Sequence, residues 1–536
     1  GPYQFGDKIA IKLDAYLLPY YAMRSVMRML IALIISFIAT FTLGALAAKY
    51  KSAENIIIPS IDVLQSVPIL GFLQIFVWGF IFLFPHSMLG PECVAIFGIF
   101  TAQVWNMILS FYQSLKTLPS DIYEVAAVYQ LNAWKRFWKI EVPYAMPGLI
   151  WNTMMSLSAG WFMVVAAEAI STEHHEIRLP GIGSYIQTAV DQQNSSAIFY
   201  AIITLFIVIF IYDQLIFKPI NQWIEQYSGA HTNTYIKRSW VSRIFRNSRF
   251  GRLISTGIRN VKDRWINLEF TPRSTPAPMT PLQRSPWASR FMAVTLLLAG
   301  CYIAHEAWLI AHAILSWQEF FHVSYLGLLT ALRVMILIAL CTLIWIPVGV
   351  WIGMNPTASR IFQPIIQFLA AFPPNSLYPA AALAIFHYHL NVNIWASPLM
   401  ILGTQWYILF NVIAGTKALP KNLYYAAKSF QLSRRLWWQK LILPGLFPYI
   451  ITGMITAAGG AWNASIIAEV VEWGSQRSHA DGLGAYIKLA FEQGEVVKLA
   501  FGVIIMCIYV LIINRLIWKP LYDIAEKRFK SGASYG

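Results

Sequence analysis

Two glutamates, Glu168 and Glu469, each follow a tryptophan, Trp161 and Trp462, by seven residues inside otherwise apolar runs. Seven residues is close to two helical turns, so each Trp–Glu pair shares one helix face. A carboxylate in that setting either lines a polar route or gate, or bonds a neighbouring helix as a structural acid. Gln65, Pro68, Pro373, Pro374 and Asn375 interrupt two further apolar runs. Proline breaks at membrane depth either line a cavity or are satisfied by neighbouring helices. Gln103, Asn106, Gln405 and Asn411, with Asn152 and Asn463, supply interhelical hydrogen bonds or line the same route. Arg28 and Arg333 sit near the outer ends of their runs, where they attract an anion or snorkel to the interface. His387 and His389 stand two apart with no carboxylate beside them, and the four cysteines are scattered without metal-ligand spacing, so a metal site is not expected. Gly181-x-Gly183 and Gly482-x-Gly484 read as loop turns before short helices.

The elements that position these residues follow from composition. Of 536 residues, 57% are hydrophobic and only 12% charged, and no soluble domain could cover that much apolar side chain with polar surface. The fold expected is an all-α polytopic membrane protein. Spans long enough to cross the hydrocarbon core fall near 24–48, 61–84, 92–115, 144–170 and 197–217. Further spans fall near 291–314, 325–353, 364–386, 394–414, 445–471 and 497–517, about 11 in all. The net charge of +15 is concentrated at 218–290, where 13 Lys and Arg meet 3 acids. By the positive-inside rule that block is a cytoplasmic linker, not a nucleic-acid site, and it carries Pro272, Pro276, Pro278, Pro281 and Pro286. The same rule places 116–143 and 415–444 inside, and 171–196 and 472–496 outside. Gly1-Pro2 reads as a tag-cleavage scar.

The chain repeats itself. A shift of 301 pairs Pro119 with Pro420, Gln130 with Gln431, Pro143 with Pro444, Trp161 with Trp462 and Glu168 with Glu469. Upstream the shift is 305, pairing Arg28 with Arg333 and Pro68 with Pro373. The domains expected are a first half at 1–217, the linker at 218–290 and a second half at 291–536. Five matched spans per half is odd, so the extra span at 291–314 is what lets both halves point the same way, about a pseudo-two-fold axis along the membrane normal. By symmetry there is room for a helix before the first repeat.

Each half also carries a long inner loop, 118–149 and 419–450, helix-compatible but too polar to span. A single copy reads as a connector lying on anionic lipid; two at fixed spacing favour docking to two partners. Here the chain resembles the EAA-loop permeases of binding-protein-dependent ABC importers, whose pattern is EAA, three residues, Gly, nine residues, I-x-L-P. Glu124-Val125-Ala126, Gln130, Ile140 and Val142-Pro143 match it, as do Tyr425-Ala426-Ala427, Gln431, Leu441 and Leu443-Pro444. Residues 59–72 with the late segments of each half are similar to the nitrate/sulfonate/taurine branch. The resemblance implies a type-I importer-like fold with both halves fused in one chain, in a bacterial inner membrane. It also implies coupling helices seated on two ABC ATPase subunits that bind ATP and Mg, a periplasmic solute-binding protein, and a small oxyanion-type solute such as nitrate, a sulfonate, taurine or bicarbonate. Gln130 and Gln431 replace the family glycine, which suggests a more continuous helix or a different bend, and Tyr425 replaces the leading acid. No GxxxxGK[ST] occurs, so the chain is not expected to hydrolyse ATP, and it carries no cofactor of its own. An ion-coupled secondary transporter, or a scaffold or receptor on a permease fold, are the other readings.

Overall fold

The computed structural model describes residues 10–85, 87–116, 118–171, 176–217, 219, 260–267 and 316–529, with five scattered positions between 301 and 312. Most of the span expected at 291–314, His174, His175 and most of the linker lie outside the described residues.

The first half runs α1 (Ala15–Lys49), α2 (Lys51–Ser66), α3 (Ile69–Leu83), α4 (Leu89–Lys116), α5 (Ser120–Val128) and α6 (Ala133–Glu168). An antiparallel ribbon, β1 (Ala169–Ser171) with β2 (Glu176–Arg178), then leads to α7 (Ile182–Asp191) and α8 (Ser195–Ile216). The second half runs α9 (Trp317–Met354), α10 (Pro356–Ala371), α11 (Pro374–His387), α12 (Val392–Met400), α13 (Gln405–Lys417), α14 (Lys421–Ser429) and α15 (Arg434–Ala468). A second ribbon, β3 (Val470–Trp473) with β4 (Gln476–His479), precedes α16 (Leu483–Glu492) and α17 (Val496–Ala525). The 301-residue shift carries α5 onto α14 and α7 onto α16 residue for residue. It also aligns the π-helical turns Phe137–Glu141 and Trp437–Ile442 at the entrances of α6 and α15.

Seven of these helices are long and apolar enough to cross a membrane, and nine crossings result if two bent pairs count as one each. The expectation of about 11 therefore exceeds what the described residues contain. The span expected at 61–84 is two helices, α2 and α3, because Pro68 removes a backbone donor and the chain turns extended at Val67. The span at 364–386 is α10 and α11, bent by 77° at Pro373-Pro374, and that at 394–414 is α12 and α13, bent by 44°.

Lipid tails are as apolar as leucine, so packing rather than the hydrophobic effect holds such helices together. Within each half the fourth span packs along the third, α6 on α4 and α15 on α13. Between halves the contacts are reciprocal: α10 packs against α6 and α8, while α3 packs against α15 and α17. The core is continuous across both halves, running from Met29 and Trp161 to Trp462 and Met506.

Candidate functional site

Glu168 and Glu469 are wholly buried. Ser25 donates to Glu168 Oε1 at 2.6 Å, Arg28 Nη1 at 2.7 Å, and the Gly183 amide donates to Oε2 at 2.8 Å. Arg28 in turn holds Glu92 through Nε (2.6 Å) and Nη2 (2.7 Å) and donates to the Pro180 carbonyl at 2.9 Å. The second half repeats the bracket: Thr330 (2.8 Å) and Arg333 (3.3 Å) donate to Glu469 Oε1, and the Ala485 amide to Oε2 at 3.0 Å. Where the first half has Glu92, Asn393 accepts from Arg333 at 3.2 Å. The helix starts join in, Ile182 N donating to Ser25 Oγ at 3.1 Å and Leu483 N to Thr330 Oγ1 at 2.9 Å. Each bracket thus ties the first span, the end of the fourth and the start of the following short helix. Arg28 is 2% exposed, so the snorkelling reading of this residue is corrected: two carboxylates replace its water.

The Gly-x-Gly pairs are more than loop turns. A Cβ on Gly181 or Gly482 would fall on the Glu168 or Glu469 carboxylate, and one on Gly183 or Gly484 on the carbonyl of Val165 or Ser465. Their spacing to the acids was the one signal in the sequence that could have found this.

The other candidates scatter. Trp161 is buried edge-on to Tyr212, with ring centroids 5.9 Å apart, and Trp462 is buried in the core. Gln103 is buried, its Nε2 3.4 Å from Ser36 Oγ. Gln65 donates to Asn106 at 3.1 Å, and Gln405 accepts from Trp345 Nε1 at 3.3 Å. At the proline breaks the halves cross over. Next to Pro68, the Ile69 amide donates to Asn463 Oδ1 of the second half at 2.6 Å. Next to Pro373, Asn375 Nδ2 donates at 3.0 Å to the carbonyl of Phe162, which the 301 shift places on Asn463.

Beside these crossings lies a cavity of about 180 Å³ between the halves. Leu70, Leu73, Ile466 and Phe491 give it apolar walls, and Asn375, the one sequence candidate in its lining, presents an amide with an unpartnered Oδ1. At its outer end Glu472 pairs with Lys488 (3.4 Å) and Arg477 (3.0 Å), and Arg477 also pairs with Glu492. Gln187 of the first half bonds Glu472 as well. Burial raises the Glu472 pKa, but the two cations outweigh it and hold the carboxyl below its ordinary value. Sequence reasoning missed Gln187, Tyr378, Glu472 and Lys488 as lining residues, since the halves join only in the fold. The described residues contain no group of three or more His, Cys, Asp or Glu able to hold a metal.

On the opposite side, α5 and α14 each end in a left-handed residue, Gln130 (φ 49) and Gln431 (φ 47). Leu131 N returns to the Ala126 carbonyl at 3.1 Å, and Leu432 N to Ala427 at 3.2 Å, closing the turn that a glycine usually terminates. The expectation of a more continuous helix is therefore corrected: glutamine adopts the glycine conformation, and new helices start at Asn132 and Ser433, whose side chains cap them. Glu124, Val125, Tyr425 and Ala426 are exposed, whereas Ala126 and Ala427 are 3% and 7% exposed and face their own half. The aromatic pair Tyr129 and Phe430, matched by the repeat, is 74% and 80% exposed at the helix ends.

A helical bundle with two matched loop helices and a cavity between its repeats defines a two-fold polytopic membrane protein. The profile of the binding-protein-dependent transport system inner membrane component family matches residues 40–219 and 345–530, and the chain belongs to that family. Similar proteins include a bicarbonate transport system permease protein of Synechococcus elongatus, 29% identical over 33% of this chain and 61% of its own length. A nitrate import permease protein of Leptolyngbya laminosa is 28% identical over 32% and 58%, and a taurine transport system permease protein of Escherichia coli 28% over 30% and 54%. The chain thus aligns with less than two thirds of the length of each of these relatives.

Proposed function

We propose that this chain supplies both halves of the transmembrane pathway of an ATP-driven importer in a bacterial inner membrane. Two separate ABC ATPase subunits, each holding ATP and Mg, dock on α5 and α14, and a solute-binding protein delivers cargo to the outer face. The observation that supports this reading most is the duplicated loop helix, with an identical left-handed terminus and an exposed aromatic in each half. A helix sealed on one face and bare on the other is built to receive a groove. When the ATPases close on ATP they draw α5 and α14 together. The loops continue directly into α6 and α15, so the movement reaches the cavity between the halves and opens it to alternate sides. The transported solute is a small oxyanion-type molecule, as the names of the similar permeases suggest. The buried acids do not favour ion coupling, because Arg28 and Arg333 already neutralise them.

The test is uptake into proteoliposomes holding the chain, its ATPases and its binding protein. ATP-dependent accumulation of labelled taurine, nitrate or bicarbonate supports the reading. Accumulation driven by a sodium or proton gradient without ATP overturns it.

A further inference from the structure

The two docking faces share a backbone but not a charge. Between 118 and 143 three acids (Asp121, Glu124, Glu141) balance three bases (Lys135, Arg136, Lys139). Between 419 and 444 there are five bases (Lys421, Lys428, Arg434, Arg435, Lys440) and no acid. Asp121 and Glu124 are exposed on the first face, and all five bases are exposed on the second.

The supports beneath the faces differ in the same sense. Glu141 is buried under α5, 2.8 Å from Lys49 Nζ and 3.5 Å from Arg136 Nε. The equivalent positions are Ile442, Met354 and Trp437, which form no ion pair. Independently, the described linker segment 260–267 packs on the first face. Trp265 lies 5.4 Å from the Trp134 ring and 6.1 Å from that of Trp138, Trp134 Nε1 donates to the Trp265 carbonyl at 2.9 Å, and Ile266 is buried. The repeat replaces Trp134 and Trp138 by the exposed, polar Arg435 and Gln439, so the second face lacks both indole rings.

Complementary charge selects partners, and like charges set opposite each other are costly, so an acid-lined groove matched to the five bases of the second face is mismatched to Asp121 and Glu124 on the first. We infer that the chain assembles with two different ATPase polypeptides: the one on α14 carries an acid-lined groove, and the one on α5 a groove without excess acid. This rests on the importer reading above and assigns each of its two ATPase positions a chemistry.

The test uses the full chain in nanodiscs, titrated with the purified ABC ATPases of its source organism, singly and in pairs, with stoichiometry read by native mass spectrometry. One copy each of two different polypeptides is expected. Lys421→Glu with Lys428→Glu weakens one of them by about tenfold or more and leaves the other unchanged, and Glu124→Lys does the reverse. The milder Lys421→Gln with Lys428→Gln gives a smaller loss at the same face, which separates lost charge from misfolding. Two copies of a single polypeptide on the native chain, weakened equally by both sets of changes, overturn the inference and leave the importer reading standing. No ATPase bound by any combination overturns both.

Discussion

Arg28 Nη1 lies 2.7 Å from Glu168 Oε1 in a site where neither side chain reaches solvent, and Arg333 with Glu469 repeats the pair at 3.3 Å. Taking one charge from a buried pair strands the other, which costs about 3–5 kcal/mol. Glu168→Leu and Arg28→Met should each lower the midpoint of thermal unfolding in nanodiscs strongly, and the double variant should recover part of the loss. Arg333→Met should cost less, because Arg333 answers one carboxylate and an amide where Arg28 answers two carboxylates. Equal losses for Arg28→Met and Arg333→Met would show that the Glu92 contact contributes nothing.

Gly181→Ala and Gly482→Ala place a methyl group against the same carboxylates. Overpacking of this kind costs about 1–3 kcal/mol. Both variants should unfold earlier than native, whereas Gly79→Ala, which has open space around its Cβ, should not.

The left-handed glutamines make a prediction of opposite sign. A side chain in that conformation costs about 1–2 kcal/mol relative to glycine. Gln130→Gly and Gln431→Gly should therefore leave stability unchanged or raise it, and Gln130→Ile should lower it. If Gln130→Ile matches native in both unfolding midpoint and ATPase binding, the turn does not matter.

Glu472 supplies the pH dependence. Its pKa is depressed in the folded chain by Lys488 and Arg477, so its contribution is fully present above the ordinary value of 4.5 and fades as pH falls through the lower folded value. Glu472→Gln should lower stability at pH 7, where the contribution is present, and flatten the further loss below pH 4.5. A native-like acid profile in that variant would remove Glu472 as its cause.

Much of this was legible in the chain because a duplication states its own geometry. The offsets that pair Arg28 with Arg333 and Glu168 with Glu469 also pair the cores of the two brackets, and the loop pattern around Glu124 and Tyr425 marks two matched helices. What the sequence hid is what depends on partners. Glutamine at a glycine position reads as helix, since propensity carries no record of the 6→1 bond from Leu131 to Ala126 that makes the turn worthwhile. Ala126 and Ala427 belong to the motif yet face inward, and the large aromatic side chains left exposed at matched positions are Tyr129 and Phe430, each one position before the left-handed glutamine. The crossing of Asn463 onto Ile69, and of Asn375 onto Phe162, joins residues hundreds of positions apart, and no local pattern announces it.

The most direct test of the coupling account is ATP hydrolysis by ATPase subunits co-purified with the chain in lipid nanodiscs, native against Tyr129→Asp with Phe430→Asp. These side chains are exposed, so the substitutions leave the fold intact while placing charge on both docking faces. The account predicts that the native chain retains its ATPases and turns over ATP, and that the double variant unfolds at the native temperature but loses both. Equal retention and turnover in the two proteins would contradict it.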